Sequence, residues 1–252
     1  MKSSALQMIF ILFTAITAAP AQIVAPPDEA AALYKQGVEL HQAGNYREAI
    51  AALEKYLRLN PVSASAHNNL GVAYSDGGFY REAVASFQEA LRLAPDYAEA
   101  RRNLGAALYR SGQVSEAVAE YRKAIELKPG YVLALNDLGI ALAELGRHAE
   151  AVAALERAVR LDSRNALTFH NLGDVYSRAK NREKAIKAFR QALEINPDSS
   201  ESRFYLAALY LVGNDRSNAI KQYAELKTQN AELADKLFQA IFKDKLLVIK
   251  AK

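Results

Sequence analysis

Cysteine is missing from all 252 residues, so disulfides and thiolate chemistry are excluded. No Asn-x-Ser/Thr sequon occurs, so N-glycosylation offers no support for a eukaryotic secreted protein. No block of one charge sign stands out either. The balance is 32 basic against 28 acidic residues, net +4, and the signs are interspersed, as in Glu54, Lys55 and Arg58 or Arg122, Lys123 and Glu126. That pattern favours solubility and argues against nucleic-acid binding. Histidine is scarce: His41, His67, His148 and His170 are scattered, with no HExxH among them. Paired carboxylates in a pocket context, a glycine-rich phosphate loop and a serine with a His/Asp partner pattern are also absent. The chain is therefore expected to be no enzyme, with no metal, no cofactor and no small-molecule substrate. His67 reads as a core filler, His41 and His148 as exposed, and His170 as a residue of a groove edge. What the chain has in quantity is apolar material, 51% of the residues, enough for a sizeable core.

Residues 1–21 read as a signal peptide. Lys2 supplies the positive start, Ala5 to Ala18 is an uncharged apolar run, and Ala19-Pro20-Ala21 supplies small residues before a cut at Gln22. The run is short against the roughly 20 apolar residues of a membrane span. Two fates are consistent with it: cleavage, or retention as a membrane tether. With no cysteine after the run, a bacterial lipoprotein anchor is excluded. The expectation is an exported protein, periplasmic or secreted, in a bacterial envelope. Residues 22–29, with Pro26-Pro27, read as a linker that Asp28 ends as a helix cap.

Beyond the linker one phrase returns. Pro61, Pro95, Pro129 and Pro197 lie on a series with a step of 34, and Ser163 keeps the phase where proline is missing. A fixed period of this size signals a solenoid of repeats. Numbering each repeat from residues 30, 64, 98, 132, 166 and 200, the second has Leu70, Gly71, Tyr74, Ala83, Phe87, Ala90 and Pro95 at positions 7, 8, 11, 20, 24, 27 and 32. The third has Leu104, Gly105, Leu108, Ala117, Tyr121, Ala124 and Pro129, and the fifth Leu172, Gly173, Tyr176, Ala185, Phe189, Ala192 and Pro197. This pattern resembles the tetratricopeptide repeat. The resemblance implies an all-α, right-handed superhelical solenoid of about six helix-turn-helix repeats of 34 residues (30–63, 64–97, 98–131, 132–165, 166–199 and 200–231). Residues 232–252 would add a capping helix and a tail.

Each repeat is expected to pair helix A, positions 1 to 14, with helix B, positions 16 to 29. Gly44, Gly78, Gly112 and Gly146 share position 15, where the chain must leave helix A. Proline at position 32 cannot continue helix B and opens the next helix A. Glycine at position 8 is costly inside a helix. It is expected to let Ala at position 20 approach, as in Gly71/Ala83 and Gly139/Ala151, with the aromatic at position 24 beside the contact. One repeat cannot stand alone, so neighbours must share faces and the ends need caps. The first repeat carries Gln36 at position 7. After the sixth, Leu233, Leu237, Phe238, Ile241 and Phe242 recur at helical spacing, as a cap helix would. The terminal LLVIKAK either packs on that cap or forms a sticky end.

Helical geometry puts positions 2, 6, 9 and 13 of helix A opposite its core stripe. The family resemblance implies that they line a concave groove. Position 6 reads Lys35, Asn69, Asn103, Asp137, Asn171 and Tyr205. Around it stand Val72, Ile140 and Asp174 at position 9, Arg110 and Arg178 at position 13, and Leu133 at position 2. An asparagine offers an acceptor and two donors, which suits both edges of a peptide amide. The row resembles the asparagine ladder in the repeat domain of O-GlcNAc transferases, and the resemblance covers the repeats only. The alternative is that asparagine at position 6 is ordinary for these repeats and is copied by duplication, used or not. The carboxylate clamp that grips chaperone tails is not met, because no asparagine stands at position 9. An RNA-reading repeat would want a basic groove, yet position 13 alternates acid and base.

The reading is a non-enzymatic protein–protein interaction scaffold. It would bind an extended peptide, a C-terminal or linker segment of a partner protein, along Asn69, Asn103, Asp137, Asn171, Val72, Ile140, Arg110, Arg178, Asp174 and Tyr205. The alternative is a structural or assembly subunit of an envelope complex, acting through outer helix B faces or the C-terminal tail.

Overall fold

The structure is a computed structural model that describes residues 27–242. The leader at 1–21, the first part of the 22–29 linker and the tail beyond Phe242 lie outside the described residues. Within them are thirteen α-helices and no strand. Six antiparallel pairs follow in order: α1 (Pro27–Gln42) with α2 (Tyr46–Leu59), α3 (Ala64–Asp76) with α4 (Tyr80–Leu93), α5 (Ala98–Arg110) with α6 (Val114–Leu127), α7 (Val132–Glu144) with α8 (His148–Leu161), α9 (Ala166–Arg178) with α10 (Arg182–Ile195), and α11 (Ser200–Val212) with α12 (Arg216–Gln229). A final helix, α13 (Ala231–Phe242), follows. The chain is thus an all-helical repeat solenoid.

Three local expectations shift. Helix A ends at position 13 and helix B runs from 17 to 30, because the turn takes three residues. Its glycines, Gly44, Gly78, Gly112 and Gly146, have φ of 72–86°, a conformation with no Cβ cost for glycine. The fifth and sixth repeats keep the same turn with Lys180 at φ 58° and Asn214 at φ 60°. Proline at position 32 lies in the turn and does not open helix A. Ser63 is the N-cap before α3, its hydroxyl accepting from Ala66 N–H. The first helix is described from Pro27, one residue before Asp28.

Each helix A packs on its own helix B and on the preceding helix B, and α1, α3, α5, α7 and α9 also touch in succession. Layers that meet along the A helices while the B helices fan apart curve with A on the inside. The core is where A meets B. Ala83, Ala117, Ala151 and Ala185 are fully buried, as are Phe87, Leu155 and Phe189 to within 1%.

Position 8 works differently from the expectation. A Cβ added at Gly71 would fall 2.7 Å from the Phe87 ring, one at Gly105 2.7 Å from Tyr121, and one at Gly139 2.5 Å from Leu155. The glycine makes room first for the side chain at position 24; at Gly37 the carbonyl of Ala49, at position 20, also stands 3.5 Å from where a Cβ would lie.

Both ends depart from the interior. Interior layers bury an alanine, threonine or serine at position 3 (Ala66, Ala100, Ala134, Thr168, Ser202), whereas α1 leaves Ala32, Gln36 and Glu39 exposed to solvent. At the other end α13 covers α11 and α12 with Leu237 and Ile241, both nearly inaccessible.

Candidate functional site

The inner row is a linked chain. At each layer the side chain at position 6 bonds the side chain at position 5 of the layer before. Asn69 Nδ2 donates to Tyr34 Oη at 2.7 Å, Asn103 Nδ2 to Asn68 Oδ1 at 3.0 Å, and Asn171 Nδ2 to Asn136 Oδ1 at 3.4 Å. In the fourth layer Arg102 Nε donates to Asp137 Oδ2 at 2.6 Å. In the sixth the polar link becomes a ring contact, Tyr205 meeting His170 edge-on at 5.8 Å between centroids.

Asn69, Asn103 and Asn171 are therefore half-buried, not free. One donor of each is spent between layers. The carbonyl oxygens of Asn103 and Asn171 receive no hydrogen bond from the described residues, and each Nδ2 keeps a second N–H. Asn69 Oδ1 meets Asn68 Nδ2 at 3.5 Å, the outer limit of a hydrogen bond. The amides are held in place by these links, with the acceptor edge of two of them available.

Position 5 supplies the other half of this device. Asn136 is satisfied throughout: it donates to Thr168 Oγ1 at 2.9 Å and to Val132 O at 3.1 Å, and accepts from Asn171. His170 Nδ1 pairs with Ser202 Oγ at 2.8 Å. The signal was legible as Thr168 and Ser202, polar residues at position 3 where earlier layers have alanine. Burial holds the His170 imidazole below its usual range, with Asp174 and Glu201 pulling weakly the other way. Burial also pushes the Asp137 carboxyl up, and Arg102 opposes that push.

The flanking residues sort into two groups. Ile140 and Arg110 are open to solvent, while Val72, Asp174, Arg178 and Tyr205 are half-covered. Position 13 alternates in sign and links successive layers: Arg110 lies 3.9 Å from Asp76, and Arg178 3.6 Å from Glu144 and 2.8 Å from Asp174. Asp76 also takes His41 Nε2 at 2.9 Å, so His41 is engaged and not simply exposed. His67 is no core filler: its Nε2 meets Pro61 O at 3.0 Å and ties the inter-repeat turn. Tyr109, Ile140, Asn171, Asp174 and Arg178 surround a small hollow of about 30 Å³. No group of three or more metal-ligating side chains comes together among the described residues.

Tetratricopeptide-repeat family models match residues 69–132 and 170–234, a second such model matches 135–198, and a third, described as TPR repeat, matches 37–78. The chain is a tetratricopeptide-repeat protein. No curated protein matches it. Among solved structures it is similar to PilW, a widely conserved type IV pilus biogenesis factor, with a TM-score of 0.76 and 22% identity over 83% of this chain and 98% of that one. PilF of Pseudomonas aeruginosa gives a TM-score of 0.71 and 23% identity over 84% and 97% of the two chains. At these identities the likeness is one of fold. YrrB, a TPR protein with an unusual peptide-binding site, gives 0.57 and 27% identity over 69% and 90%. All three share the helical-repeat fold. No described helix is long and apolar enough to cross a membrane.

Proposed function

We propose that this tetratricopeptide-repeat protein binds an extended segment of a partner protein along the inner face of α3, α5, α7 and α9. The observation that carries the reading is the row Asn69, Asn103, Asp137 and Asn171, anchored layer to layer with acceptor oxygens left over. Packed helices stand ~8–10 Å apart and an extended peptide rises ~3.3 Å per residue, so one amide meets roughly every third peptide unit. Each such bond contributes about 1 kcal/mol net and ignores the partner's side chains. Discrimination then falls to Val72, Ile140, Asp174, Tyr205 and the alternating charges Arg110 and Arg178. Asp137, already neutralised by Arg102, asks for no cation from the partner. The peptide-binding site in YrrB supports the same reading by similarity.

The test is recovery of partners from extracts of the source cells by immobilised protein. Leu133→Glu and Ile140→Glu alter exposed side chains outside the inter-layer bonds, so they separate binding from stability. Loss of the same partners with these variants and with the Asn69/Asn103/Asn171→Ala triple variant is the expected result. Equal recovery removes the groove from the account.

The location proposed is the bacterial envelope, with residues 1–21 directing export. Sequencing the isolated protein from its N-terminus is expected to start at Gln22; a start at Met1 overturns cleavage. A second reading, an assembly subunit working through its C-terminal end, is favoured by Phe242, which is 44% exposed. Self-association that disappears when the residues after Lys245 are removed would select it.

A further inference from the structure

We propose a second docking site outside the inner groove: the cleft between the A–B turns of the fifth and sixth repeats, which takes an acidic protein segment bearing an apolar side chain. The cleft measures about 750 Å³. Its apolar side is Leu209 and Val212, the latter 72% exposed. Lys180, Asn181, Arg182 and Glu183 form the other side. The Arg182 guanidinium lies against Gly213, so close that a Cβ there would fall 2.8 Å from Nη1; it thereby spans the two turns.

Charge decides the occupant. Positions 15 to 19 of the fifth repeat read Lys180, Asn181, Arg182, Glu183 and Lys184, a net of +2. The same five positions are neutral in repeats one, two, four and six, and −1 in repeat three, where Glu116 is the only charge. Lys184 stands where the first four repeats place Glu48, Glu82, Glu116 and Glu150. Neither Lys180 nor Arg182, the two cations of the lining, forms an ion pair with a described residue, while Lys184, just outside the lining, lies over the Tyr176 ring at 5.4 Å. Glu150 in the neighbouring turn, by contrast, is held by both Arg122 and Arg147. Glu183 is the one carboxylate in the lining. An excess of unpaired cation beside an exposed valine complements carboxylates that flank an apolar side chain, and such attraction weakens with salt.

The probe is a short fluorescein-labelled peptide with leucines set between glutamates, titrated against the full chain by anisotropy. Lys180→Gly, Arg182→Tyr and Lys184→Glu together install the residues that repeat one carries as Gly44, Tyr46 and Glu48, so the turn is one this fold already uses. The expected result is saturable binding that falls at least tenfold in this triple variant and at least fivefold in Val212→Asp. It weakens with added salt and is unchanged in Asn171→Ala, which separates the cleft from the inner groove. Val212→Asp alters an exposed side chain and keeps the test decisive if the triple variant unfolds. No binding, equal affinity in the variants, or equal affinity for the lysine-for-glutamate peptide overturns the proposal. So does binding confined to phosphatidylglycerol vesicles, which would make the cleft a lipid-facing surface.

Discussion

Arg102 of one layer and Asp137 of the next meet at 2.6 Å, in the place where Asn68 and Asn103 meet one layer earlier. An ion pair and an amide pair thus perform the same task, tying helix A to helix A. Both side chains of the ion pair are about one-quarter exposed, at 27% and 22%. Asp137→Asn leaves a half-buried guanidinium without its carboxylate and is expected to cost about 2 kcal/mol. The double variant Arg102→Asn/Asp137→Asn recreates the earlier amide pair and is expected to recover most of that loss. Urea unfolding of the two variants checks it.

Gly71→Ala is expected to destabilise by about 2 kcal/mol, because the new methyl meets the Phe87 ring in a tightly packed core. The helix-propensity gain of about 1 kcal/mol does not offset it. Gly130→Ala, where nothing lies within 4 Å, is expected to stay within about 0.5 kcal/mol. Melting temperatures of the pair decide whether position 8 is kept for packing.

Lys180→Gly is expected to stabilise by roughly 0.5–1 kcal/mol, since an L-residue in the left-handed region carries a steric cost that glycine lacks. Asn214→Gly gains less, because asparagine tolerates that region. Calorimetry of the two single variants gives the comparison.

Histidine 170 links stability to pH. Its imidazole is held below 6.5 by burial, so below that value the unfolded chain takes up the proton more readily than the folded one. Stability therefore falls as pH drops through 6.5 and levels off below the folded-state value. His170→Asn, matching Asn68 and Asn136 at the same position, removes this contribution. The parent's melting temperature is expected to drop more than the variant's between neutral pH and about pH 5. Parallel curves would remove His170 as the cause.

Much of this architecture was legible from periodicity alone, because a repeat states its core many times. Leu70, Leu104, Leu138 and Leu172 declare one buried stripe and Gly44, Gly78, Gly112 and Gly146 one turn. What periodicity could not give was partnership. Gly71 has two candidates across the helix pair, Ala83 and Phe87, and only three-dimensional packing shows that the ring takes the space. The bonds from Asn103 to Asn68 and from Asn171 to Asn136 join residues 35 apart, one more than the period, so aligned columns hide them. Lys180 and Asn214 broke the glycine column, yet the backbone kept its left-handed turn, a fact that only torsion angles reveal.

The polar start at Gln36 and the α13 lid at the far end have a consequence for growth. Among the described residues, one end of the stack is faced by polar side chains and the other is crossed by α13, so its two finishing units differ from the repeats between them. A duplicated middle unit, such as 98–131, could then be spliced in and lengthen the spiral by one step while leaving both finishing units as they are.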